Sequence, residues 1–361
     1  MNNNISNEYL TKAIDELVNT LGVKEEPSAM ELLKLIRIKD INQCMKNIAE
    51  HLGLPIALKL SYVPDDYVPD VCKFQSKELS RTDGKGRGIE FITAQVLIPA
   101  TLPSYGTSAL INYPINVMVS ENCHEQPETL ISVMAHELSH ILLHSLRHPQ
   151  MDNEIYTDIV PIIFGFSKII EKGRKVIETN TDGIITRTTT TSFGYLTDNQ
   201  FIFASNKINN ILGKRRSEKS IVLNMISVLD KSVKVVLKKL FIFRKLRDYL
   251  CENRYKKIKK RDGYKIVSFY SPDYTYNMES VIRDSKNAVR EARMFCIDRN
   301  HYTNTTITMF NKHNNELSLL VEQINSQLSL IKDDVNVLKR NVGILYRYKI
   351  AKQAKQYVDL E

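Results

Sequence analysis

The amino-acid sequence predicts an α+β protein in which a small mixed sheet packs on two helices and an all-α region follows. Three observations carry that expectation. Apolar, β-branched stretches at Pro55 to Val63, Ile89 to Ile98 and Ile115 to Ser120 read as strands, the last alternating as a half-buried strand does. Downstream, Ile131, Met134, Leu138, Ile141 and Ser145 recur at 3,4 spacing behind Pro127 and Glu128, which suit a first helical turn. From Ile307 to Leu345 a third pattern alternates by three and four without a break, with Asn314 as a polar position.

Ahead of the sheet, residues 1–53 read as a helical segment. Leu10, Ile14, Leu17 and Leu21 form one stripe, Pro27-Ser28 opens a second helix, and Ile41 to Leu52 makes a third that Gly53 ends. These helices show no basic recognition face, so they are expected to cap the next domain, 54–213. Inside that domain Asp83 to Gly88 is glycine-rich, but it lacks the Lys-Ser/Thr ending of a phosphate-binding loop and precedes a strand, so it reads as a turn. Thr186 to Ser192 reads as an exposed strand or loop without assigned function.

Composition sets the outer bounds. At 361 residues, 43% hydrophobic and 25% charged, the chain has room for two or three domains and the balance of a globular protein. No apolar run approaches the ~20 residues of a membrane span, and the start, Met1 to Asn4, has neither the basic residues nor the apolar core of a secretory signal. Cys44, Cys72, Cys123, Cys251 and Cys296 are scattered and odd in number, which fits free thiols in a reducing compartment. A cytoplasmic location is the expectation.

The predicted helix at 127–145 carries His136-Glu137-Leu138-Ser139-His140. Positions i and i+4 share one helical face, so both imidazoles can converge on one metal ion while Glu137 flanks it. A catalytic zinc takes three protein ligands and keeps a fourth position open for water, so a third ligand is expected downstream. Beyond a break at Arg147 to Gln150, Asp152 or Asn153 can cap a second helix, with Glu154 and Asp158 one turn apart on it.

HExxH followed by Asn153-Glu154-Ile155-Tyr156-Thr157-Asp158 resembles the gluzincin class of zinc metallopeptidases, the thermolysin-like arrangement. The short stretch between His140 and Glu154 is most similar to compact intracellular HExxH proteins of bacteria and their mobile elements. The resemblance covers roughly residues 52–212. It implies a minimal zincin fold in which one Zn2+ is bound by His136, His140 and Glu154, Glu137 serves as general base, and Asp158 orients a ligand histidine. It also implies that the strand before the helix, here 115–120, is an edge to which an extended peptide adds.

Other ligand and donor assignments stay open. Asp158 is the competing third ligand. His144 lies on the face of His140 and is expected at the cleft mouth, while His124 and His148 read as surface or loop residues. Tyr195, just ahead of a capping box at Thr197 to Gln200, is a candidate donor to a developing oxyanion, with simple packing as the alternative.

Charge concentrates elsewhere. Residues 207–265 hold 19 Lys and Arg against 5 Asp and Glu, a net +14 in a chain of +9, which leaves −5 for the rest. Apolar residues at helical spacing run through this stretch, so 214–265 is expected to be a basic amphipathic helical region that could meet an acidic partner, nucleic acid or an anionic membrane surface, or simply be solvated. In 270–361 the 307–345 seam fits self-association through a coiled coil. Met278, Ile282, Ser285, Val289, Ala292 and Cys296 repeat the spacing, so an internal hairpin turning near Asn300 to Asn304 fits equally. Two functional readings follow: a zinc peptidase acting on a peptide or protein, or a non-catalytic zinc-binding scaffold or regulator that works through its C-terminal region.

Overall fold

The structure is a computed structural model that describes residues 5–64, 80–82, 94–182, 185–258, 272–297, 299–340 and 342–360. It is a mixed α+β fold with small sheets and a helical C-terminal region. Two compact units divide it: residues 1–213 together with 300–304, and residues 214–299 together with 305–361.

The first unit opens with α1 (Asn7–Leu21), β1 (Val23–Lys24), α2 (Ala29–Arg37) and α3 (Ile41–His51). Each helix starts where a short polar side chain accepts an otherwise unpaired amide: Ser6 from Tyr9, Ser28 from Glu31, and Asp40 from Gln43. Leu10, Ile14, Leu17 and Leu21, the stripe read from the sequence, are all buried.

The strands β2 (Ala57–Val63), β3 (Ser80–Thr82), β4 (Ala94–Val96) and β5 (Pro114–Ser120) follow. β5 is the middle of a three-stranded sheet, parallel to β2 and antiparallel to β4, with Leu60 and Val96 both opposite Val117. Ile115, Val117 and Val119 are buried, as the alternation predicts. The expectation that 115–120 is an edge strand is corrected: β5 is paired on both sides, and among the described residues β2 and β4 are the edges. Chain order suggested the wrong strand because β4, three residues long, is added beside β5 by tertiary pairing. The glycine-rich run at 83–88 lies outside the described residues.

Next come α4 (Pro127–Ser145), α5 (Glu154–Ile163), α6 (Ser167–Gly173), β6 (Lys175–Asp182), β7 (Ile185–Phe193) and α7 (Asp198–Ile258). β7 pairs with both β6 and β3 in an antiparallel sheet, so Thr186 to Ser192 lies in a strand. Of α4, the residues from Thr129 to Leu143 are buried without exception, including the face of the histidines. The face of the histidines is therefore packed as fully as the apolar stripe read from the sequence. α2, α3, α5, α6 and β4 surround it, and a helix enclosed on every side is buried all round. Among the described residues no helix is long and apolar enough to cross a membrane.

In the second unit α7 continues to Ile258, with Val222, Ile226, Leu229, Val233, Val236 and Leu240 buried on one stripe. α8 (Pro272–Cys296) leads through residues 300–304, which belong to the first unit and hold β8 (His301–Tyr302) paired with β1, into α9 (Asn304–Arg340) and α10 (Ile344–Leu360). Phe295 of α8 meets Phe310 of α9 edge to face, and Asp230 of α7 pairs with Arg293 of α8. The seam residues Ile307, Phe310, Leu317, Ile324, Ile331, Val335 and Leu338 are buried inside this one chain. The seam does not run on to Leu345, which is 88% exposed, because α9 ends at Arg340 and α10 begins a new helix.

α6 reaches α4 through a position that admits no side chain. A Cβ on Gly173 would lie 2.2 Å from the Glu128 carbonyl oxygen, and the Gly173 carbonyl accepts the buried Thr129 hydroxyl at 2.9 Å. Gly173→Ala is expected to lower stability by about 1–3 kcal/mol, the usual cost of overpacking, measured as a shift of the urea unfolding midpoint.

Candidate metal centre

α4 supplies the first half of the centre. His136 and His140, one turn apart, sit with ring centroids 4.9 Å apart, and both are almost fully buried. α5 supplies the second half. Asn153 caps it, its side chain accepting the Ile155 amide, so Glu154 stands at the first helical residue with its carboxylate over the two rings. The Glu154 Oε2 atom lies 3.4 Å from Nε2 of His136 and 3.3 Å from Nε2 of His140.

Each of these three atoms is buried and makes no hydrogen bond. A buried polar atom without a partner costs on the order of 1–3 kcal/mol, and three that face one another raise that cost together. A divalent cation among them supplies all three partners at once. The donor set, two imidazole nitrogens and a carboxylate oxygen within 4.8 Å of one another, is one that zinc accepts.

The other ring nitrogens are held from behind. His136 donates from Nδ1 to Asp158 Oδ1 at 2.7 Å, which leaves Nε2 for the metal. Thr157 spends its hydroxyl proton on the Asn153 carbonyl, so His140 Nδ1–H donates to the Thr157 oxygen at 3.4 Å. Asp158 is thus spent on His136 and lies outside the three-atom cluster, while Glu154 is inside it. The second oxygen of Asp158 accepts the amides of Tyr195 and Leu196 at 2.5 and 2.9 Å. That double contact requires Gly194, whose φ of +93° and approach to Asp158 disfavour any side chain there.

Burial works against the charged form of His136, yet the carboxylates of Asp158, Glu154 and Glu137 overcome it and raise its pKa from 6.5 to about 10. Glu154 moves the opposite way. Burial pushes it up, but the two histidines hold it down at about 2 against an ordinary 4.5.

Glu137 stands beside the cluster, 2% exposed, and its Oε2 accepts the Val96 amide of edge strand β4 at 3.2 Å. Inward amides of this strand alternate with outward ones: Leu97 donates to Asn116 of β5, so Val96 points away from the sheet toward Glu137. Tyr195 stacks on His136 with ring centroids 6.1 Å apart.

The structure leaves the remaining histidines apart. His144 faces Asp152 at 3.3 Å and is not in the cluster. His148 lies in the loop between α4 and α5, as one of the two readings had it, but it is buried there and not on the surface, because that loop packs against α1: its Nδ1 accepts the Gln150 amide and its Nε2 lies 3.6 Å from Glu16. The capping box at Thr197 forms, with reciprocal bonds between Thr197 and Gln200.

Arg174 was not legible in the sequence. It follows Gly173, is 7% exposed, donates to the Leu196 carbonyl, and lies over the Phe201 ring at 4.6 Å. It thereby braces the turn whose amides hold Asp158. A lone arginine at a helix end carries no spacing signal, and neither does the Val96 amide. Gly194 and Thr157 stood inside quoted motifs, and their roles appear only once α5 and the 194–196 turn are brought together.

Comparison with family models, curated proteins and solved structures found no match to this chain.

Two outcomes are expected. Asp158→Ala should weaken zinc binding by roughly 10- to 100-fold, read by competition with a chromophoric chelator. In chelator-treated protein the raised pKa of His136 contributes stability that is full below pH 6.5 and is lost as pH rises toward about 10. The depressed pKa of Glu154 contributes stability that is full above pH 4.5 and is lost as pH falls toward about 2. Urea midpoints of that form should therefore be highest between these limits, and His136→Ala should flatten the alkaline side.

Proposed function

We propose that this protein is a zinc-dependent peptidase of the gluzincin kind, similar to the compact HExxH proteins of bacteria and mobile elements. The observation that carries the proposal is the convergence of three buried, unpartnered ligand atoms with a buried carboxylate beside them. His136, His140 and Glu154 would hold the metal. When bound, zinc supplies a water of lowered pKa, near about 7, and polarises a carbonyl oxygen.

The chain's own residues do the rest. Glu137 is placed to take the proton from the attacking water and to pass it to the leaving amine. A merely structural zinc would need no such base, which favours hydrolysis over a scaffold role. The Val96 amide donates to the Glu137 carboxylate and fixes its orientation beside the cluster. Strand β4 runs beside this carboxylate with its outward amide on the cluster side, so an extended peptide along β4 would pass in front of Glu137. Asp158 fixes the His136 ring, and Tyr195 stands against that ring as a candidate donor to the oxyanion.

Burial matters to this chemistry. Glu137 sits in a site where water is scarce, and a charge there interacts more strongly than it would at the surface. The basic stretch of α7 and the helices after it are then left to choose a partner or a substrate, whether acidic protein, nucleic acid or anionic surface.

Metal analysis of the intact chain and of variants tests the reading. Wild type is expected to hold one zinc per chain, and His140→Ala and Glu154→Ala to lose it. Glu137→Gln should keep zinc and lose turnover by roughly 10²- to 10⁴-fold. Turnover is followed by cataloguing new protein N-termini in cells expressing wild type or Glu137→Gln. A wild-type chain that never takes up zinc would sink the proposal. Zinc held by both proteins, with identical N-termini, would favour the non-catalytic scaffold.

A further inference from the structure

The third ligand candidate, Glu154, is the first residue of α5. A first turn frays more readily than a helix interior, so a ligand there binds well only while that turn is held. Two hydrogen bonds hold it, one from each side of Glu154, and both come from α1. The Asn153 side-chain amide donates to the Tyr9 hydroxyl oxygen at 2.8 Å, and the Tyr156 hydroxyl donates to Glu16 Oε2 at 2.8 Å. The same Asn153 side chain caps α5 through its oxygen and also donates to Gln150 Oε1 at 2.9 Å, so Tyr9 and Gln150 together fix the rotamer of the cap, Tyr9 tying it to α1.

The bonds sit in a packed setting. The Tyr9 and Tyr156 rings meet edge to face at 6.4 Å, and His148, buried beside Tyr156 at 5.6 Å, faces the other oxygen of Glu16. Tyr156 is 4% exposed, and Leu10, Ile14 and Leu17 of α1 are fully buried. None of these residues belongs to the HExxH helix or to the ligand cluster.

We infer that α1 sets the affinity of the centre for its metal, with Tyr9 and Glu16 acting as positioning residues for Glu154 through Asn153 and Tyr156. The inference rests on the reading of His136, His140 and Glu154 as a metal site. Its physical content is preorganisation: if the first turn of α5 is ordered only part of the time, apparent affinity falls in proportion to the ordered fraction. The helical segment read from the sequence as a cap is then a determinant of metal occupancy.

The test uses the full chain and zinc itself. Tyr9→Phe/Tyr156→Phe removes two hydroxyls while keeping both rings and their packing. The expected result is zinc binding weakened by about 10-fold or more, since each bond is worth roughly 3- to 10-fold. In the cobalt-substituted protein the visible absorption bands should change, because a Glu154 ligand that wanders alters the coordination geometry. Glu16→Gln, which keeps an acceptor for Tyr156, should restore most of the affinity lost in Glu16→Ala.

Lys207→Ala is the control. Lys207 ties α1 to α7 through Asp15 at 2.9 Å without touching α5, so its loss should leave zinc affinity unchanged. Wild-type affinity and unchanged cobalt bands in the double phenylalanine variant would overturn the inference. Equal weakening in Lys207→Ala would also overturn it, by showing that loosening α1 anywhere has the same effect. A wild-type chain that binds no zinc would instead overturn the metal reading beneath it.

Discussion

The buried Asp158 carboxylate is the interaction on which the candidate centre depends. A carboxylate removed from water must be compensated, and here it is by the His136 ring and by two successive backbone amides. Each partner is fixed in return. The ring is held with its other nitrogen toward Glu154, and the 194–196 turn is drawn against α5, where only glycine fits at 194. Arg174 closes this arrangement from the far side by holding the Leu196 carbonyl. One carboxylate thus joins α4, α5, the end of the β6–β7 hairpin and the start of α7.

A second constraint is the enclosure of α4. Its apolar residues contribute to the core in every direction, and the two histidines and Glu137 occupy part of the same interior. Polar groups in such a position lower stability unless partners are supplied, and three ligand atoms face each other with none. The protein therefore holds a locally unfavourable cluster inside a favourable core. That combination is typical of functional sites, where a ligand or a reaction supplies what the fold leaves unmet.

Much of this was legible in the sequence because it depends on local spacing. The stripe of α1, the helix start at Ser28, the helix at 127–145 and the pairing of His136 with His140 all follow from periods of three and four residues and from short polar side chains at helix starts. Glu154 was legible too, since its cap and its spacing to Asp158 lie within six residues. Other features were not. β4 is three residues long and is a strand only because β5 lies beside it, so the edge of the sheet was assigned to the wrong strand. His148 looks like a loop residue until α1 covers it.

The sequence by itself determined which side chains can act together along one helix, because i,i+4 neighbours meet whatever surrounds them. It also determined where the helices begin, and that 207–265 carries the positive charge. Only the tertiary structure decided which carboxylate completes the cluster. Glu154 and Asp158 share one face of α5 a turn apart, and what separates them is where each meets α4: Glu154 faces the Nε2 atoms of both histidines and Asp158 faces Nδ1 of His136. It decided equally that Arg174 and the Val96 amide stand beside this cluster, since long-range contacts of single residues leave no period in the chain.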